Sequence, residues 1–235
     1  MRASMTTMDL AAGFIQGQGL FYRNNPAWWK AQAHSFMSLF QNFDGYIAKN
    51  YDVVMEGQEV GAIIRPTEHL YAEVGLASLP PRIPIVGKAL RGFNRAFEAF
   101  TFVGQTELYK SGRRKVFGSD LGKVATAEQR AELVSLGRAI RRAVGTESYA
   151  MLGVRESQQV VEQLSFFAAR FMRAHIGLTS QALTRGRGGD EARWVLGTMF
   201  TGGMALTFAA STLLHNKAPQ FDDPEKADWA AVKMG

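Results

Sequence analysis

Apolar side chains recur along most of this chain at alternating steps of three and four, the spacing of a helix with one buried face. The first strong example follows Asn24-Asn25-Pro26. Asn25 is the expected N-cap, and Pro26 sits at the first helical position, where its missing donor costs nothing. Behind them Trp29, Ala33, Phe36, Phe40, Phe43 and Ile47 line one continuous, heavily aromatic face. From Tyr51 to Pro84 the pattern is broken by Gly57, Gly61, Pro66, Gly75 and three prolines, which predicts short helices and turns. A long helix is expected from Ile85 to about Lys110, with Val86, Leu90, Phe93, Phe97, Phe100, Gly104 and Leu108 on one side. The stretch KSGRRKVFGSDLGK, residues 110–123, reads as a basic loop. Thr126 with Gln129 forms a capping box for the next helix, whose apolar side is Leu133, Leu136, Ile140 and Val144. After a break at Gly145, a helix from Ser157 to Ile176 presents Val160, Leu164, Phe167, Phe171 and Met172, and TRGRGGD then makes a flexible basic turn. Period-two runs are short and bounded by glycine, so the expected fold is all-α: an irregular multi-helix bundle of five or six helices with Gly/Pro-rich connectors.

Residues 194–214, WVLGTMFTGGMALTFAASTLL, carry no charge and are closed by Arg193 on one side and His215 and Lys217 on the other. At 1.5 Å per residue this length matches the roughly 30 Å of a bilayer's hydrocarbon. Composition opposes that reading. Gly197, Thr198, Thr201, Gly202, Gly203, Thr207, Ser211 and Thr212 lower the gain on transfer to lipid well below that of a leucine-rich span. The segment therefore reads as a buried helix at the centre of the bundle, kinked or divided at Gly202-Gly203, with membrane insertion as the alternative. Either way Trp194, Leu196, Phe200, Leu206, Phe208 and Leu213 carry the contact.

The chain has 235 residues, 46% of them hydrophobic and 20% charged, the balance of a protein that buries a real core. A formal charge of +6 favours anionic partners. The absence of cysteine removes disulfides, thiolate catalysis and Cys-based zinc sites. The first residues, MRASMTTMDLAAGF, hold no continuous apolar run of the kind a secretory signal needs. His34, His69, His175 and His215 stand too far apart for a metal motif. GRGGD lacks the order of a phosphate-binding loop, no GxSxG elbow occurs, and Asp222-Asp223 lies in a polar tail. These absences predict no cofactor, no metal and no catalysis, while an acid–base pair assembled from distant positions stays open. Basic residues are the remaining candidates. Arg113, Arg114 and Lys115, with Arg141, Arg142, Arg185 and Arg187, could meet the phosphates of DNA or a protein partner, through the backbone and without reading sequence. The competing reading is an ordinary solvated surface.

Four segments in order carry a resemblance. RASMTTMDLAAGFIQGQGLFYRNNPAWW resembles the DLSA…RQG…P opening of a helical region found in very large polyvalent proteins of tailed bacteriophages. IPIVGKALRGFNRAFEAF is similar to that family's P-G-V-G-R…S-E-R-A-Y…F segment through Ile85, Val86, Gly87, Arg95, Ala96, Phe97 and Phe100. LSFFAARFMRAHIGL is similar to its FFSPRF…SR signature through Phe166, Phe167, Arg170, Phe171 and Arg173. DPEKADWAAVKMG resembles its P-x-S-S-D-F-G-K-I-x-x-G stretch near Pro224, Asp228, Trp229 and Gly235. The chain departs from the pattern at Ala11 to Phe14, at Gln105 where arginine is usual, and at Ala168-Ala169 in place of Ser-Pro.

The resemblance implies a virion protein, packaged in the phage and delivered into the host cell with DNA, in which this region is a non-enzymatic structural and interaction scaffold. Its implied partners are other virion proteins, a second copy of itself, the DNA phosphate backbone and, after ejection, a membrane. Two alternatives accompany it: a membrane-active ejection component that inserts residues 194–214, and a non-specific DNA-binding module. The expected organisation is an aromatic helical region over 1–115, a second helical region with the apolar helix over 116–215, and a polar tail over 216–235 that continues into a longer parent chain.

Overall fold

The computed structural model describes residues 17–64, 84–118, 125–146 and 169–215. Among them all regular structure is α-helix, in eight segments: α1 (Gln18–Arg23), α2 (Asn25–Ser38), α3 (Asp44–Lys49), α4 (Tyr51–Glu59), α5 (Pro84–Phe117), α6 (Ala127–Val144), α7 (Ala169–Ala182) and α8 (Arg187–His215). The all-α expectation holds. The helix count exceeds five or six because the expected first helix is divided and short helices precede and follow it. The polar tail 216–235 and the expected helix residues 157–168 lie outside the described residues.

The bundle is organised around α5. From Ala99 to Thr106 every residue of this helix is buried, as are Leu108 and Tyr109. Phe100, Phe102, Val103, Leu108 and Tyr109 join Leu20, Trp28, Leu133, Leu136, Ile140 and Val144 in the main core. Several polar groups of this helix are buried with partners, whereas the buried Glu98 Oε1 meets none among the described residues. The Thr101 and Thr106 hydroxyls donate to carbonyls of their own helix, those of Phe97 and Phe102. The Gln105 carbonyl accepts from the Ile64 amide at 3.0 Å and its amide donates to the Thr146 hydroxyl at 2.5 Å. The helix also runs past its expected end at Lys110. Residues 110–117 are helical, not a loop, because Arg113 finds a carboxylate on α4 and Phe117 packs into the core.

The start of α2 differs by one residue from expectation. Asn24, not Asn25, is the cap, and its side chain accepts from the Ala27 amide at 3.2 Å. The predicted aromatic face is turned outward over most of its length. Ala27, Trp28, Ala31, Ser35 and Ser38 are the buried positions, whereas Trp29, Phe36 and Phe40 are exposed. The helix stops at Ser38, and Phe43 and Ile47 reach the core only from the turn and α3 that follow. Trp28 fills the core from this stripe, and the small side chains of Ala27, Ala31, Ser35 and Ser38 around it let α2 lie close along α5.

The α6 helix follows its sequence reading. Thr126 and Gln129 form both bonds of the capping box, and Gly145 ends the helix in the left-handed region at φ 70°. Leu133, Leu136, Ile140 and Val144 all face inward. Beyond it, α7 and α8 form a hairpin turned at Gly186, and with Ala143 they enclose a second, smaller core of Leu178, Ala192 and Val195.

A candidate membrane-contact helix and its basic end

The α8 helix is continuous for 29 residues and passes through Gly202-Gly203 undivided. It is not the centre of the bundle. Over Arg187–Leu213 it is long and apolar enough to cross a bilayer, yet only 11% of its most apolar window is buried. A core helix of this composition would be mostly enclosed, and a signal sequence would lie near the N-terminus; α8 does neither. Trp194, Phe200, Leu206, Phe208 and Leu213 are exposed, Phe200 at 69% and Leu213 at 84%. Leu196 alone among the expected contact residues is partly buried, beside Met199 against the second core. The buried-centre expectation fails because α5 already fills that position, with Phe100, Phe102, Val103, Leu108 and Tyr109 in the main core.

The threonines of α8 weaken the compositional objection to lipid. The hydroxyls of Thr198, Thr201, Thr207 and Thr212 donate to the carbonyls of Trp194, Gly197, Gly203 and Phe208, each four residues earlier, at 2.8–2.9 Å. A hydroxyl with its donor so used presents mainly its methyl group to the surroundings.

The described fastenings of α8 run from its start to Gly202, and farther along Ser211 is also buried. Arg23 on α1 grips Glu191 with two bonds, Nε to Oε1 at 2.6 Å and Nη2 to Oε2 at 2.9 Å, with both side chains largely shielded. The same guanidinium lies 5.7 Å from the Trp194 ring centre. Gly19 meets Ala143 and Val195, and Gly202 lies so close to Tyr22 that a Cβ there would stand 2.3 Å from the ring. Arg193 donates to the Ala182 and Thr184 carbonyls and so ties the end of α7 to α8. Sequence reasoning missed Arg23 and Glu191, which are separated by 168 positions and share no local pattern.

The basic candidates divide into two groups. Arg113 is buried, donates through Nε to both Glu56 oxygens, and covers the Phe117 ring at 4.7 Å. Arg142 donates to the Gly177 carbonyl and the Gln181 side chain, and Arg141 lies over Gly61. These three hold helices together. Arg114, Lys115, Arg185 and Arg187 face outward. Arg187 Nη2 donates to the Lys115 carbonyl at 3.3 Å, so the end of α5 and the start of α8 meet there.

A polar cluster between α2, α3 and α5 is the place most like a reactive centre. Glu107 Oε1 accepts from Lys30 at 2.7 Å, from the Tyr46 hydroxyl at 2.7 Å and from Lys110 at 3.0 Å. Lys110 also bonds Asn50, and the His34 ring stacks edge-on against Tyr46 at 4.8 Å. Burial works to raise the Glu107 carboxyl, but the three donors outweigh it and hold the group below the usual carboxylate range. Burial pushes the Tyr46 hydroxyl far up. Burial and the Lys30 charge lower His34 against the opposing pull of Glu107. A carboxyl held below its usual range by three donors on one oxygen is a weak base, so the cluster reads as a lock on α2 and α3. Among the described residues no group of three potential ligands is placed to hold a metal ion.

No protein-family model, curated protein or solved structure matches this chain.

Proposed function

We propose that the protein is a membrane-active helical module in which α8 contacts and enters lipid. The exposed, uncharged length of α8 carries this reading: leaving Phe200, Leu206, Phe208 and Leu213 in water forgoes roughly 1.5–3 kcal/mol for each side chain that a bilayer would cover. Residues up to Gly202 still rest on α1 and α6, so full insertion of 194–214 requires α8 to leave α1. The resemblance to phage polyvalent proteins supplies the setting. There the protein is a non-enzymatic virion component, delivered with DNA, that meets a membrane after ejection. That setting rests on the four sequence segments, and the lipid contact rests on the exposed helix.

A second reading, an interaction scaffold for other virion proteins or a second copy, is favoured by one separate observation. Trp29, Phe36, Met37 and Phe40 are exposed together on α2 and the turn after it. Flotation of the full chain with phosphatidylcholine vesicles distinguishes the two. Replacing Phe200, Leu206, Phe208 and Leu213 with serine is expected to abolish flotation while helix content by circular dichroism is retained. Flotation that survives this change but is lost with Trp29→Ser and Phe36→Ser would move the contact to α2.

A further inference from the structure

We infer that the outward cations at the joined ends of α5 and α8, Arg114, Lys115, Arg185 and Arg187, seat on anionic phospholipid headgroups and fix which end of α8 meets the bilayer first. The inference rests on the reading of α8 as a lipid-contacting helix. Two elements and a connecting turn build the cluster: α5 brings Arg114 and Lys115, the turn brings Arg185, and α8 brings Arg187, whose guanidinium is bonded to the Lys115 carbonyl. The acids nearby leave a positive surplus. Glu191 is shielded and gripped by Arg23, Asp190 is held by Arg193 at 2.6 Å, and Glu132 stands 3.8 Å from Arg187. Lys115 reaches Glu191 only at 4.0 Å, and it stays about half exposed.

Position favours lipid over DNA. Arg187 precedes Trp194 by two turns, roughly 10 Å along the axis, so the cluster stands at headgroup depth when the uncharged stretch meets the hydrocarbon. Trp194 lies between the two, at the boundary where indole rings are enriched in membrane proteins. A DNA duplex laid on the same cations would bring its phosphates against the exposed apolar flank of α8, which offers them nothing. Basic residues beside an inserting helix also gain from the negative surface potential of anionic bilayers.

The test uses the full chain with Arg114→Gln, Lys115→Gln and Arg185→Gln combined, all surface positions, leaving Arg187 and its bonds in place. Affinity for phosphatidylcholine vesicles containing phosphatidylglycerol is expected to fall about 100-fold, following the gain each cation makes near such a surface. Binding to phosphatidylcholine alone is expected to stay unchanged. The charge-preserving Arg114→Lys, Lys115→Arg, Arg185→Lys protein is expected to bind as the parent does, which separates loss of charge from loss of fold. Undiminished binding of the glutamine variant to the phosphatidylglycerol vesicles overturns the inference and leaves the α8 reading standing. So does a loss confined to duplex DNA, measured by fluorescence anisotropy, which assigns the cluster to nucleic acid. A parent protein that binds neither kind of vesicle sinks both.

Discussion

Glu98 and Glu107 lie on the same helix and are driven in opposite directions. Burial raises the Glu98 carboxyl, with Arg95 opposing, and its Oε1 meets no donor among the described residues. Glu107 is held low by its three donors in spite of burial. The signs give opposite pH dependences. The Glu107 contribution is fully present above the carboxylate range of the unfolded chain and is lost as pH falls through its lower folded value. The Glu98 contribution is present below that range and is lost as pH rises through its higher folded value. Glu107→Gln is therefore expected to cost about 1–3 kcal/mol at neutral pH and to remove part of the acid destabilisation, read from urea midpoints across pH. Glu98→Gln is expected to stabilise the protein by about 1 kcal/mol at neutral pH and to do little in acid, because an amide carries no charge to desolvate. Each environment is only partly written locally: Lys110 and Arg95 stand three residues from Glu107 and Glu98 on the same helix, whereas Lys30 and Tyr46 reach Glu107 from two other elements, and Gln105 joins groups of Ile64 and Thr146.

At the scale of elements, legibility follows how local the determining signal is. The α6 helix could be read to the residue because its cap, its apolar stripe and its left-handed terminus are all sequence-adjacent. Thr126→Ala is expected to lower stability by about 1 kcal/mol through loss of the cap. Gly145→Ala is expected to cost about as much, since φ 70° burdens any residue with a Cβ; urea unfolding measures both. The α2 helix shows the limit. The sequence alone favours the stripe with more rings, whereas the stripe that is buried is Trp28 with Ala27, Ala31, Ser35 and Ser38. The end of α5 failed for a related reason. Glycine and clustered charge at 110–115 look like a loop, but Tyr109, Arg113 and Phe117 recur every four positions on one face, and that spacing was the available signal. For α8, an uncharged run fits a core and a bilayer equally well, and the choice depends on which helix occupies the centre.

At the scale of the molecule, the pair Arg23–Glu191 governs how firmly α8 is held. Removing one partner leaves the other shielded and uncompensated, a loss of about 3–5 kcal/mol for well-buried pairs. Arg23→Gln is expected to free the N-terminal half of α8, seen as faster proteolysis in the 183–186 turn and stronger flotation with phosphatidylcholine. Gly202→Val, which places a side chain against Tyr22, is expected to act in the same direction. Weaker flotation of both variants would mean that α8 works while docked. The threonine hydroxyls of α8 set what such a release demands of the helix itself. Every donor they own is already committed to a carbonyl within the same rod, so moving from water to oil obliges no partner to be exchanged. The rod changes neighbours and keeps its own wiring, and its far-ultraviolet spectrum is expected to be the same before and after lipid is added.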